Sequence, residues 1–256
     1  MRAPDDLRDA VEAYLGTLPL TAELGGLQEV LRYALESGGK RIRPVLCLAV
    51  AEASGGRIQD ALPAAAAIEL VHTFSLVHDD LPALDDDAER RGRPSTHVVH
   101  GEGVALLAGD ALLAEAFRLA LTYDDGAVAR ELVDATLGMI AGQHRDITGD
   151  DADLAEVERL KTGRLFSAAV GLGLRAAGVP DAEQAAWRTF GGEVGLFFQV
   201  VDDILDGDGF AAQLGKDGAR RLADDAAERA RGQLEALSAD TSVLRELVDG
   251  LAVRTV

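Results

Sequence analysis

Apolar positions along the chain recur with the period of an α-helix, and the alternation typical of β-strands is almost absent. The pattern predicts amphipathic helices over residues 5–16 and 24–37, and a more uniformly apolar, buried helix over 42–53. Pro63 suits the first turn of a helix and is predicted to open a long apolar helix that continues to Leu81. A polar segment follows over residues 82–97. Further helices are predicted over residues 104–122, 126–144, 153–176, 181–207, 218–237 and 240–253.

The predicted helices are joined by short connections, and no linker or low-complexity tract separates them. Apolar residues make up 48% of the 256 positions, which is enough for a sizeable core. These features predict a single all-α domain over residues 1–256, built as a helical bundle. An apolar helix that ends in an aspartate cluster occurs twice in it, at Asp79 and at Asp202.

The net charge of the chain limits the classes of partner that it is expected to bind. It has 44 acidic and 25 basic residues and a net charge of −19, which disfavours nucleic acid and anionic membranes. Apolar stretches are interrupted short of the roughly 18 residues of a transmembrane segment, and the acidic start argues against a signal peptide. The single cysteine, Cys47, cannot form an internal disulfide. We therefore expect a soluble protein of the cytoplasm.

The second aspartate cluster lies in the segment FFQVVDDILD (197–206). Asp202 and Asp206 are four residues apart and share one helix face, with Gln199 on the same side. Two carboxylates stacked in an apolar helix repel each other unless a cation lies between them. Mg²⁺ is the divalent ion that suits oxygen ligands shared with substrate phosphates. A solvated acidic helix end is the alternative, which the apolar neighbours disfavour.

The first cluster, DDLPALD (79–85), lacks this regular spacing. Asp79 and Asp85 are six residues apart and would face different sides of a regular helix. Pro82 removes a backbone donor and predicts a kink or bulge, which can return Asp85 to the side of Asp79. His72 lies two turns before Asp79 and can face the same cavity, although a lone histidine is more often a core or surface residue.

Basic residues cluster at four places in this acidic chain. Each group alone would be dismissed as solvated charge, but together they provide forked arginine contacts and lysine point charges for a polyphosphate. Two carboxylate faces and these cations indicate metal-assisted departure of a diphosphate from an allylic substrate. Apolar helices around them would keep the resulting carbocation from water. The basic groups are Lys40, Arg41 and Arg43; Arg90, Arg91 and Arg93; Lys161 and Arg164; and Lys216.

At these residues the sequence resembles the trans-isoprenyl diphosphate synthases, or polyprenyl synthetases, and among them the bacterial short-chain farnesyl and geranylgeranyl diphosphate synthases. The motifs that carry the resemblance follow the family's order along nearly the whole chain. They are GGKRIRP (38–44), LVHDDLPALDDDAERRGRPSTH (76–97), GDALLAEAF (109–117), KTGRLF (161–166) and FFQVVDDILD (197–206). The resemblance implies an isoprenoid synthase fold, an all-α bundle around a deep central cavity, in a homodimer.

The resemblance also implies roles for individual residues. The reaction is head-to-tail prenyl transfer in isoprene biosynthesis: ionisation of the allylic diphosphate, attack by the isopentenyl double bond, and loss of a proton. Magnesium ions, three in each active site, would be bound by Asp79, Asp80, Asp85, Asp202, Asp203 and Asp206. Isopentenyl diphosphate would be held by Lys40, Arg43, His72 and Arg91. The allylic substrate would be surrounded by Arg90 and by four catalytic candidates, Lys161, Thr162, Gln199 and Lys216.

Product length is predicted from the residues before the first cluster. In the family, bulk just upstream of the first aspartates forms the floor of the product cavity. Phe74 lies five residues before Asp79, about one turn deeper along the helix, so its ring can stop the growing chain. With the two-residue insertion in DDLPALD, this resembles bacterial farnesyl diphosphate synthases and predicts a C15 product, with C20 and C10 as alternatives.

One departure from the family lies after Lys216, where a loop with a second Gly-Lys pair is missing. That loop helps to close the site in the family, and Arg220 or Arg221 is a hypothetical substitute for its lysine. A non-catalytic subunit that regulates a synthase partner is a rival hypothesis, although such subunits typically lose one aspartate motif. A terpene cyclase ranks lower, because it would not need Lys40 and Arg43 to hold an isopentenyl co-substrate.

Overall fold

The computed structural model describes residues 1–149 and 153–252, and these form a helical bundle that confirms the predicted all-α class. The helices are α1 (Pro4–Thr17), α2 (Leu27–Leu35), α3 (Ile42–Ala53), α4 (Ile58–Asp79), α5 (Thr96–His100), α6 (Glu102–Ala120), α7 (Ala127–Thr148), α8 (Leu154–Glu158), α9 (Arg164–Ala176), α10 (Ala185–Asp206), α11 (Gly209–Leu214), α12 (Lys216–Glu235) and α13 (Ser242–Ala252). A π-helical segment (Arg159–Gly163) joins α8 to α9, 3₁₀ turns lie at Ala22–Leu24 and Asp181–Glu183, and β1 (Glu89–Arg90) pairs antiparallel with β2 (Arg93–Pro94).

Helix α4 is at the centre of the bundle, packed against α3, α6 and α9. Among the described residues it is the one helix long and apolar enough to cross a membrane by length and composition, despite the interruption by Glu69. Its apolar window is 67% buried inside the bundle. That burial fits a core helix of the bundle.

The start of α4 corrects one prediction. The helix begins at Ile58 and contains Pro63 in its second turn, so Pro63 does not open it. The hydroxyl of Tyr123 donates to the carbonyl of Asp60 at 2.6 Å and accepts from the amide of Ala64 at 3.2 Å. In a regular helix these two backbone groups would bond to each other. The inserted hydroxyl therefore satisfies both of them where the proline distorts the ladder.

Most other helices follow the apolar pattern, and the differences lie at their ends. The predicted helix over 42–53 matches α3, and that over 153–176 is continuous through the π-helical segment. The sequence pattern did not predict α5, the hairpin or α11, which are short and depend on contacts from elsewhere. The last residue of the predicted helix 240–253 lies outside the described residues. A single domain over 1–256 stays a prediction.

Candidate active site

The first aspartate cluster lies at the C-terminal end of α4, which ends at Asp79 before Pro82 is reached. The predicted kink or bulge is therefore wrong, because the helix stops. The loop after it folds back, and the backbone amide of Asp85 donates to the carbonyl of Asp79 at 2.9 Å. Burial raises the pKa of Asp79 to about 6; Lys161 opposes the shift and the carboxylate of Asp85 adds to it. Asp85 is thus returned to the side of Asp79.

The carboxylate of Asp80 is engaged with the hairpin. It is buried and accepts a hydrogen bond from Nε of Arg90 at 2.6 Å, and Nη2 of the same guanidinium forms an ion pair with it at 2.5 Å. Arg90 also lies 3.4 Å from the carboxylate of Asp87. Asp80, which is predicted to bind metal, and Arg90, which is predicted to contact the allylic substrate, therefore form an ion pair. This ion pair fixes the hairpin to the end of α4.

The second cluster lies at the C-terminal end of α10. Asp202 and Asp206 keep the four-residue spacing that places them on one helix face. Asp203 is buried, and its carboxylate accepts the amide N–H of Phe210 and Nε2 of Gln199, each at 2.7 Å. Asp203 therefore joins α10 to the start of α11, and Gln199 of α10 orients its carboxylate. This predicted ligand is therefore already hydrogen-bonded within the protein.

A cavity of about 450 Å³, here called the cation cavity, lies at the start of α3. The Arg43 guanidinium lies 4.5 Å from the Phe166 ring centroid, and its Nε is buried without a partner among the described residues. Burial lowers the pKa of Arg43 to about 10. Burial and nearby arginines lower the pKa of His72, so its imidazole is neutral at pH 7. Lining residues are Gly39, Lys40, Arg41, Ile42, Arg43, Glu69, His72, Leu76, Arg91, Phe198 and Asp202.

All four residues predicted to hold isopentenyl diphosphate line this cavity, and Arg41 supports them. The backbone of Arg41 is left-handed, with φ of 48°. Its buried guanidinium donates to Glu69 at 2.6 Å and to Glu12 at 2.8 Å. These ion pairs tie the start of α3 to α4 and to α1. The segment that presents Lys40 and Arg43 is therefore held from both sides.

A second cavity of about 600 Å³, here called the apolar cavity, lies between α4, α6 and α7. Arg43, His72 and Leu76 line both cavities, so the two share a wall. Phe74 is buried in that lining, and its ring meets His78 edge to face with the centroids 5.1 Å apart. The other lining residues are Ser75, Asp79, Leu84, Asp110, Leu113, Met139, Ile140, Gln143, His144, Ile147, Lys161, Thr162 and Leu165.

Lys161 and Thr162 reach the apolar cavity from the π-helical segment. Such turns are frequent at functional sites, because the extra residue changes the direction of the side chains. Nζ of Lys161 lies 2.5 Å from Oδ2 of Asp146, and its charge also acts on Asp79. Gly142 of α7 allows the close approach, since a Cβ there would lie 2.4 Å from the backbone nitrogen of Lys161. A cation is thereby held beside the first aspartate cluster.

The comparison with known families decides the classification. The model of the family described as Polyprenyl synthetase matches residues 25–230. The chain belongs to the polyprenyl synthetase family. This polyprenyl synthetase is 41% identical over 205 residues to a geranylgeranyl diphosphate synthase of Cyanophora paradoxa, covering 74% of this chain and 68% of the relative. It is 35% identical over 262 residues to the farnesyl diphosphate synthase of Bacillus subtilis, covering 89% and 88%.

Solved structures agree with this classification. A geranyltransferase from Legionella pneumophila is similar with a TM-score of 0.90 and 34% identity, over 98% of this chain and 96% of that chain. The chain spans only 54% of the length of large subunit 2 of the Arabidopsis thaliana heterodimeric geranylgeranyl pyrophosphate synthase, to which it is 45% identical over 205 residues. Family and fold together confirm a transferase of the prenyltransferase class with the isoprenoid synthase fold.

In this polyprenyl synthetase the structure does not bring every predicted residue to the cavities. Lys216 is exposed as the first residue of α12, and it lines neither the cation cavity nor the apolar cavity. One residue, Gly215, separates α11 from α12, so the missing loop leaves the connection very short. Arg220 and Arg221 are also exposed on α12. Their substitution for the missing lysine stays a hypothesis.

Sequence reasoning missed four polar residues of the apolar cavity and its mouth. Oε1 of Gln143 is buried without a partner among the described residues, and Asp146 pairs with Lys161. Gln143 and Asp146 are three residues apart on α7, a spacing that the sequence displays. The predicted helix ended at residue 144, which hid the pattern. His78, directly before the first aspartate cluster, and Asp110 of α6 are the other two.

Proposed function

We propose that the chain condenses isopentenyl diphosphate with dimethylallyl and geranyl diphosphates, head to tail, to give farnesyl diphosphate. The observation that carries this proposal is the wall shared by the two cavities at Arg43, His72 and Leu76. The cation cavity suits the diphosphate of one substrate, and the apolar cavity suits a growing hydrocarbon. The names of the relatives, which are farnesyl and geranylgeranyl diphosphate synthases and geranyltransferases, support this substrate class.

Magnesium fits the oxygen donors of the site. Among residues 1–149 and 153–252, no three His, Cys, Asp or Glu side chains already form a metal site. Asp79 and Asp85 nevertheless converge, and burial makes the charge of Asp79 costly, which a cation would relieve. Such a carboxylate set, left open for substrate oxygens, is typical of Mg²⁺ bound with a diphosphate. When bound, magnesium would neutralise the diphosphate and improve it as a leaving group.

The residues of the chain then divide the reaction between the two cavities. Lys161 would contact the allylic diphosphate beside Asp79 as its bond to C1 breaks and the electron pair leaves with the diphosphate. The apolar cavity would exclude water from the C1 cation. Lys40, Arg43 and Arg91 would hold isopentenyl diphosphate so that its double bond attacks C1. The new carbon–carbon bond forms, and a proton is lost to the released diphosphate.

The C15 product length rests on Phe74. Its ring is buried in the lining of the apolar cavity, on the helix that ends at Asp79. A chain anchored at the aspartates and extended along α4 would meet the ring after about one helical turn of depth. The relative from Cyanophora paradoxa is named for a C20 product, so geranylgeranyl diphosphate is the second candidate.

The test is chromatography of dephosphorylated products from isopentenyl diphosphate, Mg²⁺ and each allylic starter. We expect mainly C15. Asp79→Asn is expected to lower kcat by about 10³-fold. Asp86→Asn, on the exposed part of the same loop, is the matched control and should stay within about twofold. Turnover only after addition of a partner synthase would replace the proposal with the regulatory subunit. The cytoplasmic location stays a prediction from the sequence.

A further inference from the structure

His78 lines the apolar cavity and contacts both α6 and Phe74. Its Nε2 lies 3.0 Å from the carbonyl oxygen of Leu106 on α6, a hydrogen bond in which the imidazole donates. The ring also meets the ring of Phe74, at an interplanar angle of 78°. Both residues lie on α4, one turn apart, so the imidazole links α6 to the side chain that forms the cavity lining.

Gly109 on α6 makes this position possible. A Cβ at Gly109 would lie 2.1 Å from Nε2 and 2.3 Å from Cδ2 of His78, well inside van der Waals contact. The imidazole therefore packs directly against the backbone of α6 at Gly109. A side chain at this glycine would displace the imidazole from α6, and the imidazole is also in edge-to-face contact with the ring of Phe74. The aromatic pair is thus confined between helix and cavity.

We infer that His78, seated on Gly109, is a positioning residue that sets the place of the Phe74 ring and thereby the product length. The inference rests on the proposed function, because it concerns the depth of the same apolar cavity. Interiors are packed closely, so a ring displaced at one side of a pair moves its partner. An edge-to-face contact stabilises the relative position of its two rings. Its loss is therefore expected to change the ratio of two products of different length by about fivefold.

Two substitutions should move product length in opposite directions. Gly109→Ala pushes the imidazole away from α6 toward the cavity, so the ratio of C10 to C15 product is expected to rise about fivefold. His78→Ala removes the support of Phe74, so the ratio of C20 to C15 is expected to rise about fivefold. Gly103→Ala on the same helix is the matched control, because a Cβ there meets nothing within 4 Å.

Two further variants separate the contacts of the imidazole. His78→Phe keeps a ring against Phe74 without the hydrogen bond to Leu106, and His78→Gln keeps a donor without the ring. Each is expected to give a product ratio between those of the parent chain and His78→Ala. These variants also decide the question if Gly109→Ala does not fold, which a thermal melt reveals. KM for isopentenyl diphosphate should stay within about twofold in all of them.

The outcomes distinguish this inference from the proposed function. If the parent chain makes no prenyl product from any starter, the proposed function fails. If the parent chain is active but His78→Ala, His78→Gln and His78→Phe keep its product ratio, the proposed function stands and the inference is overturned. A fall in kcat with an unchanged ratio also overturns it, because it assigns His78 to the neighbouring aspartates instead.

Discussion

A single aromatic ring is expected to limit chain growth. Phe74→Ala would open space at the lining of the apolar cavity, so the main product should lengthen from C15 to C20 or beyond. Chromatography of dephosphorylated products measures the shift. Ser75→Ala is the matched control, since Ser75 lines the same cavity but loses only one oxygen atom. Unchanged product length in Phe74→Ala would remove Phe74 as the floor.

Glu158 gives a prediction about pH. Burial, with the nearby Asp203, raises its pKa from 4.5 to about 7. The folded state therefore keeps a proton that the unfolded state releases, and stability falls as pH rises from about 4.5 to about 7. Glu158→Gln should remove this loss and stabilise the metal-free chain at pH 8 by about 1 kcal/mol, after allowance for solvent screening. At pH 4 the two should match.

Thermal melts of both chains without Mg²⁺, across that pH range, measure the difference. A gap between the melting temperatures that is equal at pH 4 and pH 8 would contradict the assignment. The exposed Glu23 supplies a control, because Glu23→Gln should leave the pH dependence of the parent chain unchanged.

The sequence identifies the chemistry of single residues better than their partners. It places carboxylates at Asp80 and Asp203, and spacing alone gives no sign that each is bound to another group of the protein. Asp80 meets Arg90 across a loop, and Asp203 meets an amide beyond the end of its helix. The same limit applies to Arg41, which looks like its cationic neighbours, but its buried guanidinium forms ion pairs with Glu12 of α1 and Glu69 of α4.

At the scale of elements, the π-helical segment depends on its contact with α7. Gly142→Ala would place a Cβ 2.4 Å from the backbone of Lys161, where no flexible side chain can yield. We expect a loss of about 1–3 kcal/mol in stability and a fall of about 10²-fold in kcat, because Lys161 is displaced. Gly192→Ala on α10 meets nothing within 4 Å and is the control. Unaltered kcat would show that the segment tolerates movement.

Helix existence was predictable and helix ends were not, for a physical reason. Apolar periodicity reports which face of a helix meets the core, and it located the long helices. Ends depend on single polar contacts, which apolar periodicity does not report. The hydroxyl that bridges the ladder near Pro63 belongs to Tyr123, and the turn after Asp79 is closed by the amide of Asp85. Apolar periodicity reports neither contact.

The whole molecule leaves an apolar face uncovered on α5, α6 and α7. Its side chains are exposed in the single chain, which is unusual for so many large apolar residues on neighbouring helices. We expect a second copy to cover this face, as the homodimer prediction requires. The residues are Val98, Val99, Val104, Leu106, Leu107, Val133, Leu137 and Ile140.

The double variant Leu107→Glu with Leu137→Glu should shift the chain from dimer to monomer in sedimentation experiments, because charges would be buried in the interface. Leu214→Glu, on the distant α11, is the control for added charge. A parent chain that sediments as a monomer at micromolar concentration would contradict the prediction.

The ion pair between Arg41 and Glu12 has a consequence for the shortest working version of this protein. Glu12 belongs to α1, which precedes the stretch shared with the family, residues 25–230. A truncation to that shared stretch would remove Glu12, which is one of the two acidic partners of the buried Arg41 guanidinium. The first helix would therefore support the residues that are proposed to bind isopentenyl diphosphate. Because Leu7, Val11 and Leu15 of the same helix are buried in the core, its removal is expected to lower both substrate affinity and the melting temperature.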